Sequence, residues 1–458
     1  MLYIVSSCSE RAAGGTAAQF ARKTNRKAHI SIFEQGAYPQ YSKCGLPYVL
    51  SGDIPQAEGL IEFSKEWFEK EKINLFLNSK IVKLSIEEKK ISHIHNAVEK
   101  KASFDKLIIS TGATPSIPPI KNITENNSLI HGVYVVRTID DIQQIKKNIQ
   151  KDAPVVIVGG GFIGLEVAEA LHHQQMNVSV IEALPSVLST TLDPDMSNLV
   201  EKKLSEYIAL LTNHVAVEVK TTNQQLTHVL IQDRETKKIT SIQTKMLVIA
   251  AGVGQQVELA KTIGCRIGTT GGIVVNNKCQ TSIPDVYAVG DCTEYLDFIH
   301  KKPVPIGLGS IAVRQGIAAG INAAGGTYIL FPGVLQTRTT KFFDIEVAGV
   351  GPVTSQLQDQ DIVTSKFTGS SLPSYFPGGK PITIKVITDS STGRILAAQA
   401  VGENVAQRIN IFACAILEKM TDEKLRKMET AYAPPVAPTL DTVTVVCDVS
   451  LLKRKRKK

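Results

Sequence analysis

Val155-Val156-Ile157-Val158-Gly159-Gly160-Gly161-Phe162-Ile163-Gly164 sets the architecture of the chain. Four apolar residues, three of them valine, read as a short buried strand ending at glycine. Leu165–His172 follows with helical composition, then Val178–Ile181 as a second strand closed by Glu182. Strand, glycine turn, helix and strand make one βαβ unit of a parallel sheet. In that context G-x-G-x-x-G has a mechanism. Gly159 permits the tight turn, and Gly161 lets the backbone approach a pyrophosphate. Gly164 allows close helix–strand packing, and the helix start offers free N–H groups to phosphate. Glu182 lies about 20 residues on, where a carboxylate accepts both ribose hydroxyls. The competing reading is a glycine-rich turn that binds nothing. Ala183 and Leu184 follow Glu182 with no arginine near in sequence to hold a 2′-phosphate, so NADH is favoured over NADPH.

A less orderly unit of the same kind opens the chain. Leu2–Val5 is strand-like, Gly14–Lys23 is helical, and His29–Phe33 is a strand ending at Glu34. The connection Ser6–Ala13 carries serines where early glycines are expected, and Gly14 and Gly15 come only at its end. Serine can donate to phosphate, but its side chain obstructs close approach. Lys106–Ser110 is a further strand, followed by Thr111-Gly112-Ala113-Thr114-Pro115, where the chain changes domain. Met246–Ala250 and Val286–Val289 are later strands. The second leads into Gly290-Asp291, where a carboxylate could fix a ribose or polyol, or mark an ordinary turn. After Gly325-Gly326 the texture changes: Lys341–Val350, Ile362–Phe367 and Ile382–Ile387 are β-like, and Val405–Lys419 is helical.

Composition is that of a multi-domain globular protein: 458 residues, 43% hydrophobic and 21% charged. The net charge is +8, part of it in the terminal run Lys453-Arg454-Lys455-Arg456-Lys457-Lys458, read as a solvated, disordered tail rather than a nucleic-acid contact. No apolar run reaches the ~18 residues of a membrane span, and no signal-peptide pattern opens the chain. The 7 cysteines are scattered without a CxxC pair, which supports neither a zinc site nor a disulfide framework. No metal is expected, and a reducing cytoplasm fits best.

Cys44 stands out in Tyr41-Ser42-Lys43-Cys44-Gly45-Leu46-Pro47-Tyr48, just after the first βαβ unit. Read alone it is as easily a buried, inert cysteine. Lys43 and a helix start near Gly45-Leu46-Pro47 would stabilise a thiolate. With no partner cysteine close in sequence, redox chemistry here would take its second sulfur from a small thiol.

Cys44-Gly45-Leu46-Pro47-Tyr48, Gly159–Gly164 and Val289-Gly290-Asp291-Cys292, in that order, resemble the single-cysteine pyridine nucleotide-disulfide oxidoreductases over nearly the whole chain. The branch it resembles holds coenzyme A disulfide reductase and NAD(P)H sulfur or polysulfide reductases. The resemblance implies an α/β fold with two Rossmann-like dinucleotide-binding domains, for FAD and NAD(P)H, plus a C-terminal α+β dimerisation domain. Its boundaries would be 1–114 and 252–328 for the FAD domain, 115–251 for the NAD(P)H domain, 329–452 for the homodimer-forming domain and 453–458 for the tail. Gly14, Gly15, Glu34, Thr111, Gly112 and Asp291 would hold FAD, Glu166 would lie near the flavin ring, and Gly159, Gly161, Gly164 and Glu182 would hold NAD(P)H. Cys44 would be the redox sulfur, with Lys43 beside it. Tyr375 and Tyr432 would meet coenzyme A across the dimer, and Arg22 and Lys23 would face its phosphates. The acceptor would be coenzyme A disulfide or a polysulfide. Rival functions are an NADH oxidase working through a Cys44 sulfenate and a catalytically weak flavoprotein or redox sensor. The loop Ser6–Ala13 departs from the family's phosphate turn and carries no histidine, which disfavours a peroxidase.

Overall fold

Two parallel sheets, one in each of two units, carry the molecule. The computed structural model describes residues 2–6 and 11–457. The first unit comprises residues 1–117, 135–148 and 252–334. Its central sheet has the order 286–288, 106–110, 2–6, 30–34, 73–76, and every neighbouring pair is parallel. Side chains alternate between the faces as a pleated strand requires. Ile30, Ile32 and Ile108 pack on one side with Ala17, Ala21, Ala318 and Ala319. Phe33, Leu107 and Ile109 pack on the other with Ile81, Leu84 and Ile91. The last three come from an antiparallel meander of 79–85, 90–95 and 98–103. The first face is covered by the helices Arg11–Thr24 and Gly309–Ala323. They meet through small residues: a Cβ added at Gly320 would stand 2.2 Å from the Ala17 carbonyl oxygen.

Near the first exit from this unit and the last entry into it, Ala113–Pro115 and Val253–Gln255 form an antiparallel pair. The Ser116 amide donates to the Gly252 carbonyl at 2.9 Å beside it.

The second unit comprises residues 118–134, 149–251 and 335–458. One sheet has the order 133–135, 246–249, 154–158, 177–181, 209–211. A three-stranded meander of 214–222, 225–233 and 239–243 follows it in the chain. The C-terminal region forms an antiparallel sheet of order 338–342, 345–350, 395–402, 381–389, 362–370, backed by the helices Val405–Leu417 and Thr442–Lys457.

Two domain expectations need correction. Residues 135–148, assigned from sequence to the second nucleotide domain, cluster with the first unit. The helix Ile139–Lys147 in that stretch starts at a capping box on Thr138 and packs against the helix Leu46–Ser51. The described part of the basic run, 453–457, is not a free tail, because the helix Thr442–Lys457 continues through it. Arg454 is buried there, and its guanidinium donates to both carboxylate oxygens of the fully buried Asp422, at 2.7 and 2.9 Å.

Candidate functional site

In the second unit the strand order reverses between 154–158 and 246–249, the place where open α/β sheets bind ligands. The Gly159 turn lies there. Gly159 takes φ +115, a left-handed conformation that disfavours a side chain. A Cβ on Gly164 would stand 1.9 Å from the Gly159 carbonyl oxygen, so only glycine lets the helix Phe162–His173 approach the strand this closely. Gly161 caps that helix, and a Cβ there would meet nothing within 4 Å. Gly159 and Gly164 are required by the backbone itself, and open space lies over the Gly161 α-carbon. The Glu182 carboxylate accepts the Gly160 amide at 2.6 Å and the Leu184 amide at 2.7 Å. These two bonds fix the carboxylate at the edge of the turn.

Glu166, one turn into the helix, is half-buried and accepts the Thr340 hydroxyl at 2.5 Å. Burial raises its pKa above the usual carboxylate range, against the lowering effect of that hydrogen bond, with Glu169 adding repulsion. Glu169 accepts the Phe343 amide at 2.6 Å.

In the first unit the parallel strands bring their carboxyl ends to one edge. Ser6 lies in register between Glu34 and Ser110, with Thr111 following the latter and Asp291 following strand 286–288. Glu34 is buried and accepts the Gly36 amide at 2.7 Å. A shallow, open pocket lies beside it, lined by Gly15, Ile32, Tyr38, Gln40 and Leu75. The Gln40 Oε1 is buried there without a hydrogen-bond partner. The Thr111 hydroxyl donates to the Gln256 carbonyl at 2.5 Å, and the Gly112 carbonyl accepts the Gln256 amide. Asp291 sits in the turn Gly290–Cys292 and is paired with Arg137 at 2.9 Å. The Gly290 amide donates to Gln315. The Glu34 and Asp291 carboxylates at strand ends of this edge, with the buried, unpartnered Gln40 Oε1 in the following loop, fit a bound dinucleotide such as FAD.

Gly14 and Gly15 lie inside the helix Arg11–Thr24 rather than in a phosphate loop. Gly15 is glycine because the Gln40 amide lies against it, 1.6 Å from where a Cβ would be. Residues 7–10 of the Ser6–Ala13 loop, and Cys8 with them, lie outside the described residues.

Cys44 is exposed, in the turn Lys43–Gly45 that runs directly into the helix Leu46–Ser51. That helix buries Leu46, Pro47, Val49 and Leu50, which fixes the turn from below. The Tyr41 hydroxyl accepts the Ile139 amide at 3.3 Å. Four other cysteines, Cys265, Cys279, Cys292 and Cys447, are buried, and burial pushes the thiols of Cys265, Cys279 and Cys447 up. Cys414 is exposed on the helix Val405–Leu417. Tyr375 and Tyr432 meet: their hydroxyls are 2.5 Å apart, and both rings are exposed. The hydrogen bond with Tyr432 holds the Tyr375 phenol above its ordinary pKa.

The expectation for Arg22 is overturned. It is buried, and its guanidinium donates to the carbonyls of Glu71, Arg26 and Lys72 at 2.8, 2.9 and 2.7 Å. It ties together chain ends around two helices and is not presented to a phosphate. Lys23 is exposed with its Nζ 4.6 Å over the Phe20 ring. Two polar residues packed against these positions were not legible from sequence: Arg137 and Gln315. Each reaches its partner across a long stretch of chain, and only the Thr138 capping signal beside Arg137 hinted at an element there. Among the described residues no cluster of His, Cys, Asp and Glu could hold a metal, and no helix is long and apolar enough to cross a membrane.

Residues 12–316 match the family profile described as pyridine nucleotide-disulphide oxidoreductase, and residues 337–444 match that family's dimerisation domain. The chain is 34% identical to an NADH oxidase of Methanocaldococcus jannaschii, over 97% of this chain and 98% of the other. It is 32% identical to an NAD(P)H sulfur oxidoreductase (CoA-dependent) of Pyrococcus abyssi, over 96% of each. Among solved structures, an NAD-dependent persulfide reductase from A. fulgidus superposes with TM-score 0.93 at 30% identity, covering 100% of this chain and 84% of that one.

Proposed function

The chain belongs to the pyridine nucleotide-disulphide oxidoreductases, which use FAD and NAD(P)H, and on that premise we propose that it reduces coenzyme A disulfide or related persulfides and polysulfides through Cys44. The observation that carries this is the state of the cysteines. Cys44 is exposed on a turn fixed by buried neighbours, whereas Cys265, Cys279, Cys292 and Cys447 are buried.

Glu34, Thr111 and Asp291 would hold FAD along the carboxyl edge of the first sheet, and Gly161 and Glu182 would hold NAD(P)H. Bound FAD supplies the two-electron relay from NAD(P)H to sulfur. The protein's part is nucleophilic. The Cys44 thiolate attacks one sulfur of the acceptor disulfide, a Cys44–sulfur bond forms, the acceptor's S–S bond breaks, and the first thiolate leaves. Two electrons and a proton then cleave the mixed disulfide, releasing the second thiol and restoring the Cys44 thiolate. Tyr375 and Tyr432 are assigned to the acceptor side, delivered across a homodimer, a reading the dimerisation domain supports. The Tyr375 hydroxyl, held above its ordinary pKa, can donate to a departing thiolate. The buried thiols of Cys265, Cys279, Cys292 and Cys447 fit a reducing cytoplasm.

The test is anaerobic NAD(P)H oxidation with coenzyme A disulfide and polysulfide as rival acceptors, then with oxygen admitted. Cys44→Ser is expected to abolish disulfide turnover while leaving bleaching of bound flavin by NAD(P)H intact. Wild-type disulfide turnover in that variant would remove Cys44 from the mechanism. The 34% identity to an NADH oxidase favours one second reading, oxygen as the acceptor. Faster turnover with oxygen than with either sulfur compound would select it.

A further inference from the structure

We propose that Arg234 determines nucleotide specificity: it is the cation that lets the dinucleotide site accept NADPH as well as NADH, by pairing with the 2′-phosphate. This rests on reading Gly159–Gly164 and Glu182 as the dinucleotide site. Arg234 lies on the turn after strand 225–233, some fifty positions beyond Glu182 in sequence. Its Nη1 donates to the Ala183 carbonyl at 2.6 Å. Ala183 sits between Glu182, whose carboxylate would take the ribose hydroxyls, and Leu184, whose amide that carboxylate accepts. The guanidinium is therefore one residue from the atom that reads the ribose.

The arginine is held there by backbone. The Arg234 amide donates to the Asn213 carbonyl at 2.8 Å, and the Asn213 amide to the Leu184 carbonyl at 3.0 Å. The His214 amide donates to the Glu182 carbonyl at 3.0 Å. The turn itself is tightened by Asp233, which accepts the amides of Glu235 and Thr236 at 2.8 and 3.0 Å. Ribose loop, edge strand and arginine turn thus form one hydrogen-bonded assembly rather than a surface side chain at rest.

Charge points the same way. No carboxylate pairs with Arg234 among the described residues. The acid next to it, Glu235, is engaged by the Asn213 side-chain amide at 3.2 Å. Lys237 donates from Nζ to the Arg234 carbonyl at 2.6 Å and brings a second cation to the turn. A 2′-hydroxyl needs only an acceptor, which Glu182 provides. A 2′-phosphate carries close to two negative charges near neutral pH and would be repelled by a lone Glu182. A planar guanidinium with several forked donors is the group that recognises it. Arg234 would supply, from another element, the cation that the sequence around Ala183 and Leu184 lacks.

The test uses ADP-ribose and 2′-phospho-ADP-ribose, which carry no nicotinamide, titrated calorimetrically into the purified protein. Binding is then read without electron transfer. The wild type is expected to bind both. Arg234→Gln should weaken the 2′-phosphorylated ligand by about tenfold or more and leave ADP-ribose unchanged, since a charge-assisted pair is lost from one ligand only. Arg234→Lys, which keeps charge without the fork, should fall between. Equal losses for both ligands, no loss for either, or a wild type that binds ADP-ribose alone would overturn the assignment. If neither ligand binds the wild type, the dinucleotide-site reading itself fails and the assignment goes with it.

Discussion

Gly161 and Gly164 stand three positions apart and answer opposite demands. Gly161 has open space over its α-carbon, whereas Gly164 has a carbonyl oxygen 1.9 Å from its missing Cβ. Gly161→Ala should therefore keep stability within about 1 kcal/mol, the range of a changed helix cap, and lose ADP-ribose affinity. Gly164→Ala forces the helix off the strand and should cost about 1–3 kcal/mol or more. Denaturant midpoints and nucleotide titration separate the two effects, and undiminished ADP-ribose binding by Gly161→Ala would remove the phosphate role of this turn. Glu166 gives a pH signature. Burial raises its pKa, so the folded state binds this proton more tightly than the unfolded state. Stability then falls as pH rises from the ordinary carboxylate range through the raised folded value. Glu166→Gln should stabilise the protein at neutral pH, with the advantage gone near pH ~4. A melting series across that range checks it, and a constant difference would contradict the linkage. The turn glycines and Glu182 could be placed from sequence alone because the backbone contacts that fix them are local. Arg22 and Arg234 were misjudged or missed because a guanidinium reaches partners that no spacing rule connects.

The helix Thr442–Lys457 shows how charge misleads at the scale of an element. Its end looks like a solvated basic run. Yet Val443, Cys447, Ser450, Leu451 and Arg454 are all buried, at spacings that follow one helical face. Arg454 continues that face and closes it on Asp422, which also accepts the Ser450 hydroxyl at 2.8 Å. Asp422→Asn would strand a buried guanidinium and should cost about 3–5 kcal/mol. Thermal unfolding of the variant measures it, and a change below about 1 kcal/mol would mean the pair is solvated after all. The stripe was present in the sequence, but six consecutive basic residues outweighed it. The meander 79–103 was missed for another reason: its strands have one half-polar face and no turn signal strong enough to mark them.

For the whole molecule, the fold class was legible because βαβ units declare themselves through glycine turns and strand-end carboxylates. Segment membership was not, since the return of residues 135–148 to the first unit depends on packing against Leu46–Ser51. The two units are built from six alternating segments of chain. The helix Arg11–Thr24 has Ala13, Ala17, Ala18 and Ala21 wholly buried, and its partner helix is Gly309–Ala323. On a ribosome that partner emerges only after most of the chain has been made. At ~5–20 residues per second, the alanine face waits roughly 15–60 s for its cover, beside a sheet still lacking strand 286–288. Biosynthesis of this protein therefore passes through a long-lived nascent stage with an open apolar surface, a stage in which a ribosome-associated chaperone is the natural companion of the first unit.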